Sequence, residues 1–121
     1  MAAATQRAAA AASNIANAQS AGALPGNPGP PAYAPVGIVQ AAAGPEGGGG
    51  TIANAVPASP AYMAAYDPGS PVADANGLVA MPAVDPVQQV AQLATARLSF
   101  AANLKTVQTA LSMTDALLAI V

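Results

Sequence analysis

The chain has 121 residues and a net charge of −2, and most of its hydrophobic residues (54% of the chain) are alanine. This length allows one domain at most, and alanine methyl groups bury too little apolar area for a self-sufficient core. Three basic residues disfavour nucleic-acid binding, and without cysteine or histidine the chain lacks the usual thiolate and imidazole ligands, bases and nucleophiles. We therefore expect no enzyme activity, no cofactor or metal, and no small-molecule substrate.

The sequence also predicts neither a membrane span nor a cleaved leader. No window holds about 20 apolar residues free of polar breaks, which a spanning helix would need. The segment from Met1 to Arg7 lacks the basic head and the leucine-rich run of a cleavable signal peptide.

Glycine and proline divide the chain into three zones. All 11 glycines and all 12 prolines lie between Gly22 and Pro86. We predict an N-terminal helix within residues 1–21, an irregular middle with short β-strands at residues 22–84, and a C-terminal helix at residues 85–121.

The N-terminal helix is predicted at about Ala2 to Ser20, where alanine, the best helix former, dominates. Its single large apolar residue is Ile15, and Gly22 is its expected end. A helix with so thin an apolar face is marginal alone, but it suits close packing against a neighbouring helix.

The middle zone contains three short segments that favour strands, at residues 36–39, 51–56 and 78–81. The run from Gly47 to Gly50 between the first two is typical of a flexible loop or a hairpin tip. Residues 67–71, with the sequence DPGSP, predict a turn.

Two aspartates flank this turn, Asp67 and Asp74. We interpret them as Asx-type turn residues, because an oxygen-ligand cation site would need several more acidic or amide groups than this loop offers.

The C-terminal helix has clear start signals. Asp85 can cap the free N–H groups, Pro86 suits the first helical position, and Gln88 can return a capping-box bond. No glycine or proline follows. At ~1.5 Å per residue such a helix is roughly 50 Å long, more than a small domain needs.

Large apolar residues recur along this helix at heptad spacing and form what we call the apolar stripe. This period predicts a coiled-coil seam over more than four heptads. Arg97 and Thr114 interrupt the stripe. The stripe comprises Val90, Leu93, Phe100, Leu104, Val107, Leu111, Leu118 and Val121. We predict that the stripe up to Leu118, with Arg97 and with Ile15 of the first helix, packs between subunits.

Arg97 on the stripe has two open interpretations. Its aliphatic stem can pack against a partner helix while the guanidinium reaches solvent. Alternatively, it forms an ion pair with an acidic residue of a neighbouring subunit and so sets the register of the contact. A buried charge left unpaired would be costly, so one of the two must hold.

Three blocks of the sequence resemble one known family. The block AASNIANA at residues 11–18 resembles a motif near the start of bacterial flagellar rod and hook proteins. The block YDPGSPVADANG at residues 66–77, continued by MPAVD at 81–85, is similar to the segment before the last helix of FlgC-type basal-body rod proteins. The block ARLSFAAN at residues 96–103 resembles a further signature of the same family.

The resemblance implies a mainly α fold in which the N- and C-terminal helices pair as a coiled coil, with 1–21 and 85–121 as one packing unit. It implies a structural subunit of the proximal rod that assembles by helix–helix polymerisation with itself and other rod subunits. It also implies export by the flagellar export apparatus, without a cleaved signal peptide, into the periplasmic part of the basal body.

Two other functions remain open. The chain could be a secreted helical-hairpin adaptor or regulator that binds one partner, or a diverged rod paralogue that does not assemble. Ordered incorporation into basal bodies would favour the rod subunit, and a one-to-one complex would favour the adaptor.

Overall fold

The computed structural model describes residues 1–44 and 49–120. In chain order the described elements are α1 (Ala2–Ala16), β1 (Val36–Ala42), β2 (Thr51–Pro57), β3 (Tyr62–Tyr66), β4 (Leu78–Pro82) and α2 (Pro86–Leu118). The strands form two separate two-stranded antiparallel sheets, β1 with β2 and β3 with β4. The three predicted strands are confirmed as β1, β2 and β4, and β3 was not predicted.

The β1–β2 pair lies against α1. Its register places Val36 opposite Pro57 and Ala42 opposite Thr51. One face of the pair lines a shallow groove with α1; the residues of this groove are Val36, Ile38, Ala53 and Ala55 from the strands and Gln6, Ala9 and Ala10 from the helix. Gly47 and Gly48 of the predicted glycine loop lie outside the described residues, whereas Gly49 and Gly50 have positive φ angles of 79° and 104°.

The predicted turn lies in the segment that connects β3 to β4. Asp74 Oδ1 accepts hydrogen bonds from the backbone N–H groups of Asn76 and Leu78, both at 2.8 Å, which is the expected Asx geometry. Asp67 contributes through its backbone, donating from N to Gly77 O at 2.9 Å. Gly77 has φ of +74°, and a Cβ there would lie 2.9 Å from the Tyr66 ring, so this position requires glycine.

α1 ends at Ala16, several residues before Gly22, the end that the sequence predicted. The reason is local. The backbone N–H of Asn17 makes the last i→i−4 bond, to Ser13 O at 3.0 Å, and the Asn17 side-chain amide donates to the same carbonyl at 2.9 Å. Ala18 N then bonds Ile15 O, only three residues back, so the α-helical pattern ends there. Gly22 instead exchanges two 2.9 Å backbone hydrogen bonds with Ala80 of β4. A Cβ at Gly22 would lie 2.0 Å from Ala32 N, so no larger residue fits.

The start of α2 follows the predicted cap. Asp85 Oδ1 accepts from Val87 N at 2.9 Å and from Gln88 N at 3.3 Å, and Pro86 occupies the first turn. The return bond expected from the Gln88 side chain does not form among the described residues. The helix continues to Leu118, close to the predicted length; Val121 lies outside the described residues.

The prediction of a mainly α fold with coiled-coil helix pairing is wrong. Within the described chain the strands hold half as many residues as the helices. The helices do pack antiparallel, but their buried contact residues are small or polar: Ala4, Ala11 and Asn14 on α1, and Gln89 and Ala96 on α2. α1 has no row of large apolar side chains to pack between those of the stripe, and it is less than half the length of α2.

The core is small, as the composition predicts. The buried apolar residues are mostly alanine, and Val79 is the largest side chain that is fully buried in the described chain. Neither described helix combines the length and hydropathy that crossing a membrane would require.

Candidate functional site

Asn14 joins α1, β1 and α2 through a buried side-chain amide. Its Nδ2 donates to Gln89 Oε1 at 3.0 Å and to Val36 O at 2.8 Å. Its Oδ1 accepts from Val36 N at 3.0 Å and from the Tyr33 hydroxyl at 3.1 Å. Asn14 is only 3% exposed and Gln89 only 7%, so these bonds form where water cannot replace them. We call these four residues the amide cluster.

Ser13 extends the amide cluster towards the surface. Its hydroxyl lies 3.0 Å from the Tyr33 hydroxyl. Because the single Tyr33 proton is directed to Asn14, Ser13 is the donor in this contact. Every donor and acceptor of the Asn14 amide is therefore paired, and these bonds fix the position of α1 against the first half of α2.

The roles of Asn14 and Gln89 were not predicted from the sequence. The block at residues 11–18 indicates a family but no contact for Asn14, and Gln89 does not belong to the apolar stripe. A signal was present: Gln89 and Ala96 are spaced by seven residues, like Ala4 and Ala11, and this spacing marks a second face on each helix.

The apolar stripe lies on the surface of this single chain. Leu93 (37%), Phe100 (41%) and Leu104 (41%) are the least exposed of its large residues, and Leu118 reaches 70%. The remaining described members, Val90, Val107 and Leu111, are at least 46% exposed. Ile15 on α1 is half-buried. Ile15 is thus more buried than the described residues of the stripe. Packing of Ile15 and the stripe between subunits stays a prediction.

The first part of the stripe forms the rim of a groove between the two helices. This groove has a volume of about 420 Å³ and is almost entirely apolar; it is lined by Ala4, Thr5 and Ala8 of α1 and by Leu93, Ala96, Arg97 and Phe100 of α2. Arg97 is exposed there. Both interpretations of Arg97 therefore remain open.

The second part of the stripe lies on the half of α2 whose described residues are all exposed. From Asn103 onwards every described residue of α2 is exposed, and this part includes Leu104, Val107 and Leu111. We call residues 104–118 the free half of α2. It carries Lys105 and Asp115 as its charged residues.

The described residues include no cluster of metal-binding side chains. Among them, no group of three or more histidine, cysteine, aspartate or glutamate side chains could hold a metal ion. The features that remain are a hydrogen-bonded helix pair, two small sheets and a long exposed helix face. This combination defines a structural protein whose largest surfaces suit other proteins.

Comparison with known proteins identifies the family. The chain is 39% identical over 115 residues to the flagellar basal-body rod protein FlgC of Salmonella typhimurium, covering 93% of this chain and 84% of that protein. It is 38% identical over 111 residues to FlgC of Escherichia coli O6:H1 and 35% identical to FlgC of Yersinia enterocolitica, in each case covering 90% of this chain and 81% of the relative. No family model matches the chain.

The chain belongs to the FlgC family of flagellar basal-body rod proteins, and it is a structural subunit of the rod. The resemblance stated from the three sequence blocks is confirmed. Its place is the basal body of the flagellum, where the family assembles with other flagellar components.

Proposed function

We propose that this subunit joins the rod through its helices, with the free half of α2 packing against neighbouring subunits. The observation that carries the proposal is the exposed apolar stripe, which continues past the end of the contact with α1. A continuous stripe of exposed large apolar side chains on a small protein commonly marks a protein–protein interface.

The free half of α2 can supply a large share of the area of a standard interface. If about half of each large side chain on the free half of α2 is buried, one subunit contributes several hundred Å² of apolar surface, against the ~800 Å² per partner of a standard interface. The groove beside Phe100 can add to this area. Contacts at both places would hold a subunit on more than one side.

The role is structural and does not include catalysis. The partners we propose are further copies of this chain and other rod subunits, after transit through the flagellar export apparatus. Neither histidine nor cysteine occurs in the sequence to provide the usual catalytic groups.

The test compares two substitutions on the free half of α2 in cells whose own copy is replaced. Leu111→Asp places a carboxylate on the stripe, where packing would desolvate it, whereas Lys105→Ala changes a charge on the same half-helix but off the stripe. We expect Leu111→Asp to be absent from purified basal bodies and Lys105→Ala to be recovered at wild-type amounts.

Two outcomes would contradict the helix-mediated assembly. One is equal recovery of the two variants in basal bodies. The other is a wild-type chain that stays outside basal bodies in a one-to-one complex, as an adaptor would.

A further inference from the structure

The outer edge of β2 has unused backbone hydrogen-bonding groups. In an antiparallel pair, residues that bond the partner strand alternate with residues whose N–H and C=O point away from it. The bonds from Ala43 N to Gly50 O (2.9 Å) and from Ala58 N to Pro35 O (2.8 Å) determine this alternation for β1 and β2. It follows that the outward residues of β2 are Thr51, Ala53 and Ala55.

The same reasoning identifies the outer edge of β3. Asp67 N donates to Gly77 O at 2.9 Å, and Ala83 N donates to Ala61 O at 3.0 Å, so the odd-numbered residues of β3 bond β4. The outward residues are Tyr62, Ala64 and Tyr66, and all three are exposed. Within the described chain, no hydrogen bond uses these outward backbone groups of β2 or β3.

The outer edge of β4, in contrast, is covered by the protein itself. Ala80 exchanges two hydrogen bonds with Gly22, and Leu78 exchanges two with Asp74, one through the carboxylate. Pro82 has no N–H to offer.

The outer edge of β1 is bonded at its first residue and faces α2 beyond it. Both backbone groups of Val36 bond the Asn14 amide. The next residues, from Gly37 to Val39, line a groove of about 530 Å³ whose other wall includes Ala91 and Thr95 of α2. The β4 edge is thus closed within the subunit, and the β1 edge is bonded at Val36 and faced by α2 across the groove. The β2 and β3 edges have neither kind of cover among the described residues.

We propose that the β2 edge of one subunit pairs antiparallel with the β3 edge of a second copy of this chain. Each edge offers three outward residues at the same spacing of two, so the pairs are Thr51 with Tyr66, Ala53 with Ala64, and Ala55 with Tyr62. Open backbone groups in this pattern select an extended strand as their occupant.

The charges on the strands also favour this pairing. No charged residue lies in β2 or β3, so the contact desolvates no charge and brings no like charges together. Exposed edges are commonly protected by lysine, by bulges or by inward charges, and neither strand has such a charge. Pro57, at the end of β2, also faces outward but has no N–H, so the pairing is limited to the three outward residues Thr51, Ala53 and Ala55.

This contact joins two different surfaces, so each subunit that uses its β2 edge still presents a free β3 edge. Such a heterologous contact propagates into an open assembly instead of closing as a dimer. The inference rests on the proposal that the chain polymerises, and it adds strand pairing to the helix contacts.

Disulfide cross-linking tests the pairing, and the absence of native cysteine leaves the chain free for it. The proposed register places Met63 opposite Asn54 of the next copy, and both side chains are exposed. Cells co-expressing Met63→Cys and Asn54→Cys chains should yield a mixed dimer in oxidised basal bodies. The control pairs the Met63→Cys chain with a Val56→Cys chain, whose thiol lies two residues further along β2. The yield of mixed dimer should then be about tenfold lower, because diagonal positions are too distant to bridge readily.

A second pair of variants tests the backbone groups directly. Ala64→Pro removes an outward N–H without touching the bonds to β4, and Ala64→Val adds similar bulk but keeps the N–H. We expect the proline variant to enter basal bodies about tenfold less than the valine variant, since it loses a hydrogen bond and blocks the edge.

The mixed dimer together with a proline-specific loss supports the pairing. Equal recovery of the proline and valine variants, equal yields at Asn54 and Val56, or dimers formed by Asn54→Cys alone would each overturn it. These results are separate from those for the helix contacts, because loss of Leu111→Asp from basal bodies with equal recovery at Ala64 would leave the helix proposal intact.

Discussion

Asn14 shows how one side chain determines the arrangement of three elements. Its two amide hydrogens and its oxygen are all used, by partners on α2, on β1 and on the segment before β1. A buried amide with every group paired permits one arrangement, because a shift of either helix would leave a donor or acceptor unpaired. The amide cluster therefore sets the register of α1 against α2 within the subunit.

Removing the acceptor from this cluster should destabilise the subunit. Gln89→Leu leaves one N–H of the buried Asn14 amide without a partner, which costs about 1–3 kcal/mol. Gln92→Leu is the matched control, because Gln92 is exposed and should change the free energy of unfolding by less than about 0.5 kcal/mol. Folding can be followed by circular dichroism during titration with trimethylamine oxide, which favours burial. Equal midpoints for the two variants would show that the Asn14–Gln89 bond is not structural.

Arg97 can be assigned by two substitutions. If Arg97 only packs its stem, Arg97→Met should assemble nearly as well as wild type. If it pairs with an acid on a neighbouring subunit, Arg97→Met leaves that acid buried, at a cost on the order of 3–5 kcal/mol. Arg97→Lys would then recover part of the loss, since an ammonium cannot make two parallel hydrogen bonds.

The measurement for Arg97 is recovery of tagged wild-type, Met and Lys chains in purified basal bodies. Equal recovery of all three eliminates the ion pair. Loss of the Arg97→Met chain together with intermediate recovery of the Arg97→Lys chain rules out the interpretation that Arg97 only packs its stem.

The partners of Asn14 could not be predicted from the sequence. They lie 19, 22 and 75 residues away along the chain, so no local pattern connects them. The turn at Asp74 was predictable because its bonds reach only two and four residues ahead. Local hydrogen bonding leaves a signal in the sequence, and long-range amide pairing does not.

Among the elements, α2 depends least on its surroundings. Its cap is satisfied by Asp85, and every described residue of its free half is exposed. The helix there is stabilised mainly by intrinsic helix propensity and by the capping and charge interactions at the helix ends. Single charges at the ends should therefore change its stability.

The two aspartates of α2 should have opposite effects on helix stability. Asp85→Ala removes the cap and should cost about 1 kcal/mol. Asp115 lies near the negative end of the helix dipole, so Asp115→Ala should be neutral or stabilising by a few tenths of a kcal/mol. Helical circular dichroism of the full chain in the same trimethylamine oxide titration measures both. A loss for Asp115→Ala as large as that for Asp85→Ala would contradict this account.

The element predictions succeeded where the local signal was strong. The long helix, three strands and the turn follow from caps, alternation and turn residues. β3 was missed because its sequence YMAAY shows no alternation, and its strand state depends on pairing with β4. The coiled coil was predicted wrongly because heptad spacing identifies an apolar face but does not identify what packs on it.

As a whole molecule, the subunit has many large apolar side chains on its surface and mainly alanines inside. Burying alanine contributes little towards the ordering entropy of a chain this rich in glycine and proline turns. Most of the large apolar side chains could therefore stabilise the subunit only by packing on another protein, as the proposed rod contacts would allow.

We expect the isolated chain to be largely unfolded, or only partly helical, at low concentration. Thermal scans by circular dichroism should show weak helicity and a broad, non-cooperative change. Trimethylamine oxide should raise the helicity, and Leu111→Asp, whose effect is on assembly, should respond as wild type does. A sharp cooperative transition with strong helicity in dilute buffer would contradict this expectation.

The position of the amide cluster near the start of α2 has a geometric consequence. From Gln89 to Leu118 the helix is about 44 Å long, at ~1.5 Å per residue. A rotation of about 10° at Gln89 would therefore displace the end of the helix by about 8 Å, more than the width of a side chain. The amide pair at Gln89 and the buried Ala96, two turns further along, hold α2 against α1 at two points and so oppose such a rotation. The free half of α2 is thereby aimed in one direction, and a neighbour must lie in that direction to pack on it.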